Sequence, residues 1–107
     1  MHYLQTQLDQ FVHDIQVMVE EHRRDRFPSL PHYQIGVDDG RAYWRIWRKG
    51  GGGSTTVFAF VRKDDGAILK PATWNAPQTK TKSAVRGYIH DADPMRCVNP
   101  YGVNYAR

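Results

Sequence analysis

The stretch Tyr43-Trp-Arg-Ile-Trp-Arg-Lys-Gly-Gly-Gly-Gly-Ser54 decides how the chain folds. It is either a strand that runs into a linker between two domains, or one arm of a hairpin. Four glycines and a serine also have the composition of an engineered linker. A second segment of β character, residues 55–63, follows at once, and each segment is too short to form a domain. We therefore predict a long hairpin loop within one sheet.

Further segments of period two surround this hairpin, and each is bounded by turn residues. Asp38-Asp39-Gly40 predicts a tight turn before the hairpin, and Asp64-Asp65-Gly66 predicts a second turn of the same kind after it. Together these signals predict a four-stranded antiparallel meander over residues 33–70. The predicted strands are residues 33–37, 41–49, 55–63 and 67–70.

The first 26 residues carry the clearest helical signal, because apolar side chains recur there every three or four positions. Pro28 excludes the residue before it from helical geometry, so we expect the helix to end near Arg26. We predict an α+β fold of one domain, residues 1–107, in which this helix packs on the meander. Residues 71–107 hold four prolines and no sustained period, which predicts a mostly irregular C-terminal wrap. The apolar stripe is Leu4, Leu8, Phe11, Val12, Ile15, Met18, Val19 and His22.

Charge is unevenly distributed along the chain. Its 15 Lys and Arg against 11 Asp and Glu give a net charge of +4, yet residues 1–31 hold five acidic and three basic side chains. The positive excess beyond that segment is of the kind that attracts polyanions. The single Cys97 excludes an internal disulfide and favours a reducing compartment. We expect a soluble chain without a targeting signal, because there is no apolar run of about 18 residues and no signal-peptide pattern.

The candidate site follows from alternation along residues 41–49. Cations and aromatic rings share one face at steps of about 6.6 Å, a spacing on which bases stack while Arg and Lys meet phosphates. A second cationic group lies at residues 80–86 and extends towards Lys70 and Trp74. The same residues also fit cross-strand packing or a protein interface, and the C-terminal wrap could cover them. The predicted nucleic-acid-binding residues are Tyr43, Arg45, Trp47, Lys49, Lys70, Trp74, Lys80, Lys82 and Arg86.

Signals for catalysis are weak, so we predict a non-catalytic protein without a cofactor. His90, Asp91 and Asp93 are more typical of local caps in a turn than of a metal site. Cys97 has no motif partner, and the chain contains no phosphate-binding loop, dinucleotide-binding or nucleophile-elbow pattern.

The segment Gly66-Ala-Ile-Leu-Lys-Pro-Ala-Thr-Trp-Asn-Ala-Pro77 resembles a group of small uncharacterised bacteriophage proteins. The resemblance covers residues 57–107 and continues through Arg86-Gly87, Asp91-Ala-Asp93 and Tyr101-Gly102, ending at Tyr105 and Arg107. The chain departs from the group's pattern at Thr73, at Tyr88 and in a longer loop at residues 78–83.

This resemblance implies a viral origin and a role inside a bacterial host or in the virion. We accordingly expect a phage accessory protein that binds nucleic acid. Two alternatives stay open, namely a capsid or tail assembly protein, and an anti-defence protein that binds a host protein or a signalling nucleotide. The oligomeric state stays open as well, since a short edge strand at residues 67–70 could pair with a second copy.

Overall fold

The computed structural model describes residues 3–50, 54–79 and 84–103. Helix α1, Tyr3–Arg26, packs on a five-stranded antiparallel sheet whose strands lie side by side in chain order, so the predicted α+β class is confirmed. A short 3-10 helix, Pro94–Cys97, leads to a separate two-stranded hairpin of β6 (Val98–Asn99) and β7 (Gly102–Val103). The strands of the main sheet are β1 (Gln34–Asp39), β2 (Tyr43–Lys49), β3 (Thr55–Arg62), β4 (Ala67–Leu69) and β5 (Val85–Tyr88).

The apolar stripe of α1 forms the main core with one face of the sheet. Helical spacing brings the stripe onto a single side of α1, where it meets the inward side chains of β1 to β4. The C-terminal hairpin completes this core through Val98 and Val103. The buried members from α1 are Leu4, Leu8, Phe11, Ile15 and Val19, and those from the sheet include Ile35, Trp44, Ile46, Val61 and Ile68.

The exit from α1 is held by Arg23, which is 7% exposed. Its guanidinium donates to the carbonyl oxygens of Pro28 at 3.3 Å and Leu30 at 2.9 Å, and to the Glu20 carboxylate at 2.6 Å. The helix therefore ends where Pro28 predicts, and one buried cation supplies the donors that the following turn needs.

The hairpin prediction for the glycine-rich stretch is confirmed on both sides of the loop. Strands β2 and β3 pair from Tyr43 opposite Arg62 to Lys49 opposite Thr55. Residues 51–53 lie outside the described residues, and the amide of Gly50 donates to the Ser54 carbonyl at 3.1 Å across the loop. A register shift midway along the pair lets Phe58 and Ala59 both enter the main core.

The two Asp-Asp-Gly segments do not make the same turn, contrary to prediction. Asp38 and Asp39 belong to β1, and the chain reverses over residues 40–42. Their carboxylates bind Arg45 and Lys63, which keeps them in the ladder. In the second segment Gly66 has a φ of 76°, a left-handed conformation that glycine adopts without steric cost.

The sheet has one strand more than the four predicted. Strand β5 pairs with β4 and brings Gly87 opposite Ile68. A Cβ on Gly87 would lie 3.3 Å from the Cys97 sulfur, so the missing side chain lets the C-terminal segment pack closely. Because β4 is an interior strand, the idea that residues 67–70 form a free edge for a second copy is wrong.

Candidate nucleic-acid interface

The side chains of Tyr43, Arg45, Trp47 and Lys49 lie on the sheet face that is turned away from α1, here called the outer face. Alternation along β2 separates them from Trp44 and Ile46, which enter the main core. The outer face has a small apolar cluster of its own, on which Tyr43 packs. The buried members of that cluster are Phe60, Ala67, Leu69 and Ala84.

Arg45 is the centre of the outer face. Its guanidinium makes two hydrogen bonds to Oδ2 of Asp38, at 2.7 and 3.2 Å, and the pKa of that carboxyl is held below its usual value chiefly by these bonds. Its Nη1 also donates to the carbonyl of Trp74 at 3.2 Å, and its Cζ lies 4.3 Å from the centroid of the Trp74 ring. Arg45 therefore fixes neighbouring groups, and its charge is balanced by Asp38.

Trp47 and Tyr43 are also held in place. The indole Nε1 of Trp47 donates to Oδ1 of Asp38 at 3.2 Å, and its ring covers Gly36, where a Cβ would lie only 2.1 Å from Cζ2. Tyr43 meets Phe60 edge to face with ring centroids 6.0 Å apart. Both rings are half-buried, so the sheet packing that the sequence left open as an alternative engages part of each surface.

Trp74 presents the most accessible ring of the outer face. It sits on a compact loop, residues 71–77, that is closed by a bridge between Pro71 and Pro77. Within the loop the Thr73 hydroxyl accepts hydrogen bonds from the amides of Asn75 and Ala76, both at 3.2 Å. Trp74 is 40% exposed although its ring stacks on Arg45. A hydrogen-bonded loop with an exposed indole is suited to stacking on a nucleobase.

The remaining predicted cations are distributed over different places. Lys49 is exposed, with no ion pair to another described residue. Lys70 is half-buried at the start of the Trp74 loop, where its carbonyl accepts the amide of Gln78 at 2.8 Å. Lys80 and Lys82 lie outside the described residues.

Arg86 does not belong to the outer face. It lies at a register shift in the pairing of β4 with β5 and lines a cavity between β5 and the C-terminal segment. Its strand neighbours Val85 and Tyr88 pack on the outer cluster instead. Sequence reasoning joined Arg86 to Lys80 and Lys82 because they are close in the chain, whereas the shifted register turns Arg86 to the other side.

The two faces of the fold differ in charge. Helix α1 carries five acidic and three basic side chains, whereas residues 43–62 carry four basic and no acidic side chains. The acidic helix covers one face of the sheet, and the basic hairpin forms the other. Arg45 and Arg62 are paired with Asp38 and Asp65, and Arg48 donates to the Pro100 carbonyl. Lys49 is therefore the exposed cation of this hairpin that has no ion pair among the described residues. The sequence did not predict that Asp38 and Gly36 belong to the candidate site. Their position opposite Arg45 and Trp47 in a neighbouring strand was the only indication of it.

His90, Asp91 and Asp93 make local contacts. The His90 ring donates from Nε2 to the Asp65 carbonyl at 2.9 Å, and Asp91 accepts the amide of Tyr88 at 3.0 Å. Among the described residues there is no group of three metal-ligating side chains. None of the helices in the described residues is long and apolar enough to span a membrane.

Comparison with known proteins identifies one family. A family model described as a family of unknown function (DUF7717) matches residues 1–98 of the chain. No curated protein and no solved structure matches it.

Proposed function

The chain belongs to the DUF7717 family, whose function is unknown, and from the interface itself we propose that it binds single-stranded nucleic acid across the outer face of its sheet. The observation that carries this proposal is the position of Trp74, which is 40% exposed and stacked on Arg45 beside a hairpin without acidic residues. An exposed indole on a cationic sheet combines the two interactions that sequence-tolerant binding needs, namely base stacking and phosphate neutralisation.

The roles of the predicted residues divide into two kinds. Trp74 supplies the stacking surface, and Lys49 supplies a charge that is exposed to solvent. Arg45 holds the Trp74 loop through its carbonyl and ring, and Asp38 holds Arg45 and Trp47. In this arrangement Arg45 positions the stacking surface, and Tyr43 and Trp47 form the floor beneath the ligand.

Single strands fit the surface better than duplexes. Bases of a single strand expose their faces to an aromatic side chain. The bases of a duplex are stacked on one another, so a flat or protruding protein surface meets only the phosphates. None of the described helices presents an unpaired basic face for a major groove, because α1 is acidic and its apolar side is buried.

The experiment is a titration of a fluorescently labelled oligothymidine at several salt concentrations. We expect binding at about 50 mM salt, with a log–log slope of about −0.7 for each neutralised phosphate. The variant Lys49→Gln should lower the slope by about 0.7, while Arg24→Gln, a matched change on the exposed end of α1, should leave it unchanged. Absence of binding at the lowest salt concentration would refute the proposal.

The biological setting proposed from the sequence resemblance is a bacteriophage protein that acts in the host cytoplasm. A virion or assembly role is the second candidate, and a specific surface favours it. His22 contacts Phe27 and Tyr101 with ring centroids 5.9 and 5.3 Å apart, and the two partners are 43% and 69% exposed. Mass spectrometry of purified particles separates the two roles, because an assembly protein that stays in the virion is present in stoichiometric copies.

A further inference from the structure

A cavity of about 1260 Å³ lies between β5 and the C-terminal segment. Residues from β3, β5, the 3-10 helix and β7 line it, so several elements fix its shape. Its lining combines apolar surface, such as that of Val57 and Val103, with three basic and two acidic side chains, namely Lys70, Arg86, Arg96, Asp91 and Asp93. A concave site with a few polar groups at fixed places is the usual form of a small-molecule site.

Arg86 is the unusual member of this lining. Its Nε and Nη1 atoms are buried, and neither has a hydrogen-bond partner among the described residues. A guanidinium pays a desolvation penalty when its N–H groups are buried without acceptors. Nearly all buried polar groups in folded proteins are paired, so this cavity-lining guanidinium gains hydrogen bonds if it turns towards the cavity and meets an acceptor there.

The acidic residues of the cavity restrict what that acceptor is. Asp91 already accepts the Tyr88 amide, whereas Asp93 makes no side-chain bond to the 3-10 helix that it precedes. Three basic against two acidic side chains suit a ligand with one anionic group better than a polyanion, whose further phosphates would meet the carboxylates. The carboxylates favour a ligand that brings one anionic group to Arg86 and hydrogen-bond donors to Asp93.

We propose that this cavity binds a small phosphate ester, with the phosphate on Arg86 and the hydroxyl groups of the ligand on Asp93. The planar guanidinium matches phosphate oxygens in a bidentate manner, and a carboxylate accepts hydrogen bonds from a ribose or another polyol. The proposal for this cavity does not depend on the binding of nucleic acid to the outer face.

The test is an NMR titration of the full chain that follows the Nε–H resonance of Arg86. The probes are ribose 5-phosphate, AMP, adenosine and the labelled oligothymidine. We expect both phosphate esters to shift this resonance saturably and adenosine to leave it unchanged. Arg86→Gln should weaken their binding about 10- to 100-fold, as expected for the loss of charge-assisted bonds, whereas Arg24→Gln should bind as the wild type does.

Two results would overturn the proposal. One is an Arg86 resonance that neither phosphate ester moves, and this measurement on the wild-type protein stands even if Arg86→Gln fails to fold. The other is a shift produced by oligothymidine alone, which would assign Arg86 to the nucleic-acid interface. Loss of oligothymidine binding with intact binding of ribose 5-phosphate would refute only the proposed function of the outer face.

Discussion

Arg45 and Trp74 form a stack in which the guanidinium carbon lies 4.3 Å from the ring centroid, although the two residues are 29 positions apart in the chain. The same guanidinium binds the Trp74 carbonyl, so the arginine holds both the ring and the backbone of the loop that carries it. Contacts of this kind between a cation and an indole contribute about 0.5–1 kcal/mol at exposed sites. The loop is therefore positioned on the sheet before any ligand arrives.

Replacing Trp74 with alanine tests the stacking surface directly. We expect Trp74→Ala to weaken oligothymidine binding by about 1–3 kcal/mol, the range for loss of one aromatic platform. The loss should be similar for oligoadenosine, because every base has a face that stacks. Fluorescence anisotropy with the labelled oligonucleotides measures the change.

The control is Trp74→Phe, which keeps an aromatic ring and should retain most of the affinity. Because Trp74 is 40% exposed, neither change should alter the unfolding midpoint greatly. Equal affinity of wild type and Trp74→Ala would remove this residue from the interface.

Replacing Asp38 should have the opposite effect on oligonucleotide binding. Asp38→Asn removes the carboxylate charge that accepts hydrogen bonds from both Arg45 and Trp47, so it should lower the unfolding midpoint. The same change removes a negative charge from the outer face and frees Arg45, so oligonucleotide binding should tighten. The salt dependence should steepen by about 0.7 in log–log slope if Arg45 then meets one phosphate.

A matched change on the other side of the fold is Asp14→Asn on α1, whose carboxylate binds only Gln10 among the described residues. It removes the same charge from the chain but should not steepen the slope. If both variants gain affinity equally, the effect arises from net charge and not from the outer face.

Gly36 and Trp47 give a stability prediction. A Cβ at position 36 would lie 2.1 Å from the indole, so Gly36→Ala forces Trp47 away from Asp38. We expect a loss of about 1–3 kcal/mol, as for other overpacked sites. Urea denaturation measures it, and a double-mutant cycle with Trp47→Ala identifies the cause, since the cost should then largely disappear. A cost that persists without the indole would place the strain in the backbone.

The sequence predicted those parts of the fold in which neighbouring residues carry the signal. The stripe from Leu4 to Val19 requires a helix at 3.6 residues per turn, and alternation along β2 assigns each side chain to a face. Strand β5 had no such signal, because Arg86 and Gly87 interrupt any alternation and the strand forms by pairing with β4. The turn at residues 38–40 was misplaced for a similar reason, since Arg45 and Lys63 hold the aspartates in the ladder.

For the candidate site as well, the sequence predicted the features that neighbouring residues determine and not the contacts between distant segments. Alternation placed Arg45 and Trp47 on one face, but the carboxylate that fixes both comes from another strand. The position of Trp74 over Arg45 depends on how the loop at residues 71–77 folds back, and no local pattern reports such a contact.

Glu20 should stabilise the protein at neutral pH and lose this contribution at acid pH. Hydrogen bonds from Arg23 and His32 lower its pKa from 4.5 to about 2. A carboxyl whose pKa is lowered on folding stabilises the protein above its unfolded pKa, and this contribution is lost as pH falls towards the folded pKa. The unfolding midpoint of Glu20→Gln should therefore lie below that of the wild type at neutral pH, and the difference should shrink between pH 4.5 and about 2.

Glu21→Gln is the matched control, because this neighbouring side chain is exposed and forms no ion pair with another described residue. Its midpoint should follow that of the wild type at every pH. A constant difference between Glu20→Gln and wild type down to pH 2 would show that Glu20 acts through packing alone.

Cys97 should be a poorly reactive thiol in the folded protein. Burial raises its pKa from 9.0 to about 11, and the nearby Asp91 and Asp93 act in the same direction. Its thiolate fraction at neutral pH is then about 100-fold below that of an ordinary thiol, because each pKa unit changes the fraction tenfold and only the thiolate reacts. Alkylation by iodoacetamide should accordingly be slow at pH 7, rise steadily with pH up to about 11, and become fast in urea. Reaction of the native protein at the rate of the unfolded chain would show that packing of Cys97 beside Gly87 does not protect the thiol.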